Sequence, residues 1–212
     1  MGVVSDYDLD VSPATVRNEM VELEDKGYLM KSHSSAGRVP TDLGLRFFVK
    51  EAMKEEPLPN TEEVQVRIRV YKRRFDEDRL MRSVLNFLSE ETNSAAVSIV
   101  NDTLRFKGIS SLMTFEELRD IEVMDVLLRL LENKSLMARV FRSGNSGVRV
   151  IIGSECEVDG MDRCAIVFSE FDYFGGKKGI IGVIGPRRMN FPHVVPTVRA
   201  VSDIVENAVR GW

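Results

Sequence analysis

The stretch from Val11 to Arg38 constrains this chain more than any other. Ser12 is a good N-cap, because its hydroxyl can accept a hydrogen bond from an amide left unpaired in the first helical turn. Pro13 follows at the first helical position, where its missing N–H costs nothing. Val16, Met20 and Leu23 then recur at helical spacing and predict one buried face. Gly27 closes the run as a left-handed cap, a conformation that glycine adopts cheaply. Thr15, Arg17, Asn18 and Glu22 fall on the opposite face. At the N-terminal end of such a helix Ser12, Thr15, Arg17 and Asn18 reach outward together, and their groups suit phosphate oxygens and base edges in a DNA major groove.

The residues that follow extend that reading. Tyr28 to Lys31 predicts a short strand, Ser34-Ser35-Ala36-Gly37 has turn chemistry, and Arg38-Val39-Pro40 starts a return strand. A helix followed by a two-stranded hairpin with Lys31, His33 and Arg38 near its tip is a winged helix-turn-helix pattern. Thr41 caps a further helix, with Asp42 placed against its dipole. Leu45, Phe48 and Val49 are expected to pack that helix back onto the first. The candidate DNA contacts are therefore Ser12, Thr15, Arg17, Asn18, Lys31, His33, Ser35 and Arg38. Arginine pairs with guanine and asparagine with adenine, which puts Arg17 and Asn18 first. Arg38 has two open roles, entering the minor groove or holding the hairpin to the helix.

Charge distribution matters here more than its sum. The net charge is −4, so bulk charge alone does not argue for nucleic acid. Between Lys31 and Lys50, however, Lys31, Arg38, Arg46 and Lys50 meet one acid, Asp42. The composition, 43% hydrophobic and 29% charged, is that of a soluble chain with room for one or two small cores. No apolar run is long enough to span a membrane, and no signal peptide precedes Ser12, so a cytoplasmic location is expected. Cys156 and Cys164 make neither a disulfide framework nor a metal site. His33 and His193 are the only histidines, and neither has a nucleophile signature nearby. No catalytic, cofactor or metal residue is assigned, and no enzyme is expected.

Farther along, Pro57 and Pro59 within a charged stretch read as a linker. Val64 to Val70 alternates as a strand would, but its unbroken run into Tyr71–Phe75 favours helix from Thr61 to about Arg73. Arg67, Arg69, Lys72, Arg73 and Arg74 form a basic run, read as a solvated face or as extra phosphate contact. Asp76 to Thr92 is an amphipathic helix with Leu80, Val84, Leu85 and Leu88 on one side. Ser94 to Val100 is a strand, joined by Asn101-Asp102-Thr103 to another at Leu104. Phe115 to Phe141 reads as one helix, capped by Thr114 with Glu117 completing a capping box. Strands are predicted at Val148 to Gly153, Ala165 to Phe168 and Gly179 to Gly185. Phe191-Pro192-His193 reads as a turn before a closing helix from Pro196 to Val209. Gly182 to Met189 offers amides and two guanidiniums but fits no nucleotide fingerprint. Arg187 or Arg188 is expected to pair with Glu155 or Glu170.

Ser12-Pro13-Ala14-Thr15-Val16-Arg17-Asn18-Glu19-Met20, followed by Ser34-Ser35-Ala36-Gly37-Arg38-Val39-Pro40-Thr41-Asp42, resembles the HrcA family of bacterial heat-inducible transcription repressors. Leu88-Ser89-Glu90-Glu91-Thr92, Ile152-Gly153-Ser154-Glu155 and Gly185-Pro186-Arg187-Arg188-Met189 continue the resemblance in family order. It implies an α+β chain: an N-terminal winged helix-turn-helix domain (1–56), a connecting helix (57–75) and a GAF-like domain with antiparallel sheet (76–212). It implies a homodimer that represses chaperone genes at the CIRCE inverted-repeat operator, with the GroEL chaperonin as a second partner. Two departures are expected. The family's first helix has no counterpart before Ser12, which suggests a truncated start. The inserted dimerisation domain is skipped at Asn101–Thr103. The other reading is a GAF-like sensor or interaction protein with a vestigial DNA-binding half.

Overall fold

A computed structural model describes residues 10–31, 37–141 and 147–210. They fall into two compact units, Met1–Met53 and Lys54–Trp212.

The first unit begins with α1 (Pro13–Asp25). Ser12 Oγ accepts the Thr15 amide at 3.1 Å, and Pro13 opens the helix. At the other end Gly27 takes φ +76°, the Tyr28 amide donates to the Leu23 carbonyl, and the Gly27 amide donates to that of Glu24. Both bonds satisfy carbonyls that the helix end would leave unpaired. β1 (Leu29–Lys31) and β2 (Arg38–Pro40) form an antiparallel pair that sets Leu29 opposite Pro40 and Lys31 opposite Arg38. α2 (Asp42–Phe47) continues as a π-helical turn over Phe48–Ala52. Thr41 caps it as expected: its hydroxyl accepts the Gly44 amide at 3.1 Å and donates to the Gly27 carbonyl at 2.7 Å.

Two packing expectations are corrected. Leu23 is exposed, and the half-buried stripe of α1 runs Val16, Met20, Glu24 at strict four-residue spacing. Phe48 is also exposed. Phe47 is exposed too, with its ring 5.0 Å from that of Tyr28, and Leu45 is the residue of α2 that is buried.

The second unit is a five-stranded antiparallel sheet between helices. α3 (Asn60–Arg73) packs on α4 (Glu77–Thr92), burying Val66 and Val70, so the segment read as a connecting helix lies inside this unit. Asp76 caps α4 by accepting the Arg79 amide at 3.1 Å. β3 (Ala95–Val100) turns directly into β4 (Thr103–Lys107), with Val100 opposite Thr103. Asn101 and Asp102 occupy that two-residue turn at φ 47° and 62°, the left-handed pair that matches strand twist.

The stretch expected as one helix from Phe115 to Phe141 is broken. It holds a short 3₁₀ turn (Glu116–Leu118), α6 (Ile121–Glu132) and α7 (Lys134–Val140), following a single helical turn α5 (Ile109–Leu112). Asp120 and Asn133 have extended backbones, and their side chains accept the amides of Glu122 and Leu136. Each is an N-cap inside the apolar pattern, and competition of that kind is why Asp and Asn favour helix starts. Thr114 caps nothing here, since its hydroxyl donates to the Ser111 carbonyl.

β5 (Val148–Ile152), β6 (Cys164–Tyr173) and β7 (Lys177–Pro186) complete the sheet in the order β4-β3-β7-β6-β5. On one face Ala95, Val97, Ile166, Phe168 and Ile184 pack with Leu127, Leu130, Leu131 and Met137 of α6 and α7. The alternate strand residues turn toward α4 and α8 (Phe191–Arg210). α8 therefore begins earlier than expected, with Phe191-Pro192-His193 as its first turn. Pro196 lies inside it and has no amide to give the Pro192 carbonyl, which instead accepts the Glu56 amide at 2.8 Å. Among the described residues no helix is long and apolar enough to cross a membrane.

Candidate nucleic-acid interface

The first turns of α1 bring together four of the expected contacts. Ser12 and Thr15 are exposed, linked by the cap and by a 2.9 Å contact between their hydroxyls. Arg17 and Asn18 are exposed one turn on, and neither side chain has a hydrogen bond or ion pair among the described residues. A guanidinium and a carboxamide left in water keep their full donor and acceptor capacity for a ligand.

The hairpin residues divide. Lys31 is exposed, its ammonium 3.6 Å from Glu24. Arg38 is only 19% exposed and donates from Nε to Glu24 at 3.0 Å. Through this pair Arg38 ties the hairpin to the helix. His33 and Ser35 lie outside the described residues. Sequence reasoning missed Glu24, which sits between both basic groups of the hairpin. Its one available signal was the four-residue step from Val16 and Met20, which puts it on the buried side. Lys26 is held by Glu22 at 2.6 Å, one turn back on the same helix.

The second unit gathers no comparable set. Arg188 pairs with Glu117 at 3.1 Å. Glu155 accepts the Ile152 amide at 2.9 Å, and Glu170 lies 3.7 Å from Lys178. The His193 ring sits 3.4 Å from a Glu91 carboxylate oxygen, at the start of α8. Burial pushes the Cys156 thiol up to about 11 and that of Cys164 to about 12, which leaves both protonated and inert at neutral pH. No group of three or more potential metal ligands occurs among the described residues.

Together these features define a two-unit α+β chain with exposed polar and basic groups at one helix start and a GAF-like second unit. Residues 15–195 match the family model described as the HrcA protein C terminal domain, and the chain belongs to the HrcA family. Similar proteins include the heat-inducible transcription repressors HrcA of Pelotomaculum thermopropionicum (24% identical, covering 99% of this chain and 91% of the relative) and of Roseiflexus sp. (27%, covering 97% and 86%). The first alignment runs over 316 positions against the 212 residues of this chain, so that relative carries stretches with no counterpart here. The fold is similar to the crystal structure of a hypothetical protein determined at 2.2 Å resolution, with a TM-score of 0.68, 14% identity, and coverage of 96% of this chain and 88% of the other.

Proposed function

We propose that this chain is a heat-inducible transcription repressor that binds double-stranded DNA through a winged helix-turn-helix in its N-terminal domain, residues 1–56. The observation that carries the reading is the pair Arg17 and Asn18, exposed and without a partner among the described residues, on a helix whose following hairpin is fastened back by Arg38 and Glu24. Ser12 and Thr15 supply hydroxyls for phosphate at the helix start, and Lys31, His33 and Ser35 extend the contact from the hairpin. Arg38 positions that hairpin.

The operator in this reading is the CIRCE inverted repeat upstream of chaperone genes. A two-fold repeat is read by two copies, so the chain acts as a homodimer in the cytoplasm, with residues 76–212 supporting assembly. GroEL maintains the active form, and heat lifts repression as unfolded clients occupy the chaperonin. Chemistry on a substrate has no part in this mechanism.

A titration of the 212-residue chain against a CIRCE duplex and a scrambled duplex at one salt concentration tests the proposal. Preference for CIRCE is the expected result. Arg17→Ala weakens specific binding by about 1–3 kcal/mol if Arg17 reads a base. Equal affinity for the two duplexes would favour a GAF-like sensor over a repressor.

A further inference from the structure

Four cations converge where α3 meets α4, and among the described residues only Arg79 has an acid partner. Lys72, Arg73 and Arg79 line an open groove of about 460 Å³. It leads into a second groove of about 260 Å³ lined by Arg73, Arg79, Arg82 and Asn86. The one acid lining the first groove, Asp76, is already engaged, capping α4 with one oxygen and meeting Arg79 with the other at 3.2 Å. Lys72 and Arg82 have no hydrogen bond or ion pair among the described residues, and Arg73 donates only to the Arg69 carbonyl.

We infer that this groove is a second, sequence-independent contact for the phosphodiester backbone of duplex DNA. The inference rests on the reading of the chain as a DNA-binding repressor. Three features favour an extended polyanion over a single ion. The cations are exposed and none is enclosed, so one ion held in high dielectric gains little. From Arg79 to Asn86 the lining runs along two turns of α4, about 10 Å, enough for successive phosphates on one strand. Neutralising phosphates releases condensed counterions, a gain that accumulates with each contact and that a chain of phosphates alone supplies. Guanidinium forks suit phosphate oxygens, and three of the four cations are arginines.

Salt dependence tests this on the full chain. Affinity for the scrambled and CIRCE duplexes is measured by fluorescence anisotropy over a range of potassium chloride concentrations. The subject is the triple variant Lys72→Gln, Arg73→Gln, Arg82→Gln, with folding checked by circular dichroism. A control variant, Lys107→Gln, Arg129→Gln, Lys134→Gln, carries the same change in net charge. The expected result is a log K against log salt slope shallower by about 0.9 for each lost contact, equally on both duplexes, in the groove variant and not in the control. An unchanged slope in the folded groove variant overturns the inference, as does an equal loss in the control. Competition by inorganic phosphate with no change in slope also overturns it, since it marks a single-ion site. Failure of the repressor reading looks different. The wild type then shows no preference for CIRCE, and the slopes on the scrambled duplex still decide the groove.

Discussion

At the scale of single residues, close approach and charge pairing decide most of what a substitution will do. Gly44 lies under the Tyr28 carbonyl, and a β-carbon built there would stand 2.1 Å from that oxygen. Backbone cannot rotate away as a flexible side chain can. Gly44→Ala is therefore expected to push α2 off the hairpin and cost about 1–3 kcal/mol, the range for overpacking. Amide hydrogen exchange across α1 and α2 checks this, and an unchanged opening free energy would refute it. Glu55 gives a pH prediction. Hydrogen bonds from Arg199, one of 2.8 Å, hold its carboxyl below the ordinary carboxylate range, against a smaller upward push from burial. A depressed folded pKa gives stability that is present above the unfolded value, about 4.3, and lost as pH falls through the folded one. Both side chains are more than a third exposed, so solvent screening keeps the pair's worth below about 1 kcal/mol. Wild type is expected to exceed Glu55→Gln in urea midpoint at neutral pH, and the gap to close in acid. A gap that does not narrow as pH falls below about 4.3 would mean the pair does not titrate as described.

Elements show how much was legible in advance. Local chemistry carried the signals that were read well: the Ser12 and Thr41 caps, Gly27 as the helix stop, and Asn101-Asp102 as a tight turn all act within four residues of themselves. The continuous helix expected across Phe115 to Phe141 failed for a local reason too. Asp120 and Asn133 are strong N-caps, but the apolar repeat on either side, from Leu118 to Leu136, masked them. The fastening of Arg38 by Glu24 was undecidable from sequence, because it joins residues 14 apart whose approach depends on hairpin geometry. The pairing of β6 with β7 was likewise hidden. In that register Phe168 faces Gly182 and Phe171 faces Gly179; the Phe171 ring lies over Gly179, and the Phe168 backbone and Cβ press close on Gly182. A β-carbon at residue 182 would stand 2.5 Å from the Val167 carbonyl and 2.6 Å from Phe168 Cβ. Gly182→Ala should thus separate the two central strands and destabilise the second unit by about 1–3 kcal/mol, or more if neighbours cannot yield. A thermal melt by far-ultraviolet circular dichroism would show it. A melting point equal to wild type would mean the strands tolerate the added methyl.

For the whole molecule, burial is unevenly shared. Among the described residues of the first unit Leu45 alone is buried, at 8% exposure, and α1 has no buried residue. The second unit buries both faces of its sheet, with Val97, Val167, Val183 and Ile184 at 0% exposure and Ile166 at 1%. Local opening free energy follows buried apolar contact, so the two units should open separately. Amide hydrogen exchange tests this directly. Amides of Met20 to Leu23 in α1 are expected to exchange at least about a hundredfold faster than those of Val97 and Val167, a gap of about 3 kcal/mol in opening free energy. A ligand that binds only the ordered form stabilises it by mass action. Adding CIRCE duplex should accordingly slow exchange across α1 and leave the central strands unchanged, while the scrambled duplex should slow it less at the same concentration. Equal protection of α1 and the sheet in the free protein would show that the chain opens as one cooperative body. In that case a helix with little buried surface of its own would owe its order to the second unit, and tight operator binding would not need to supply it.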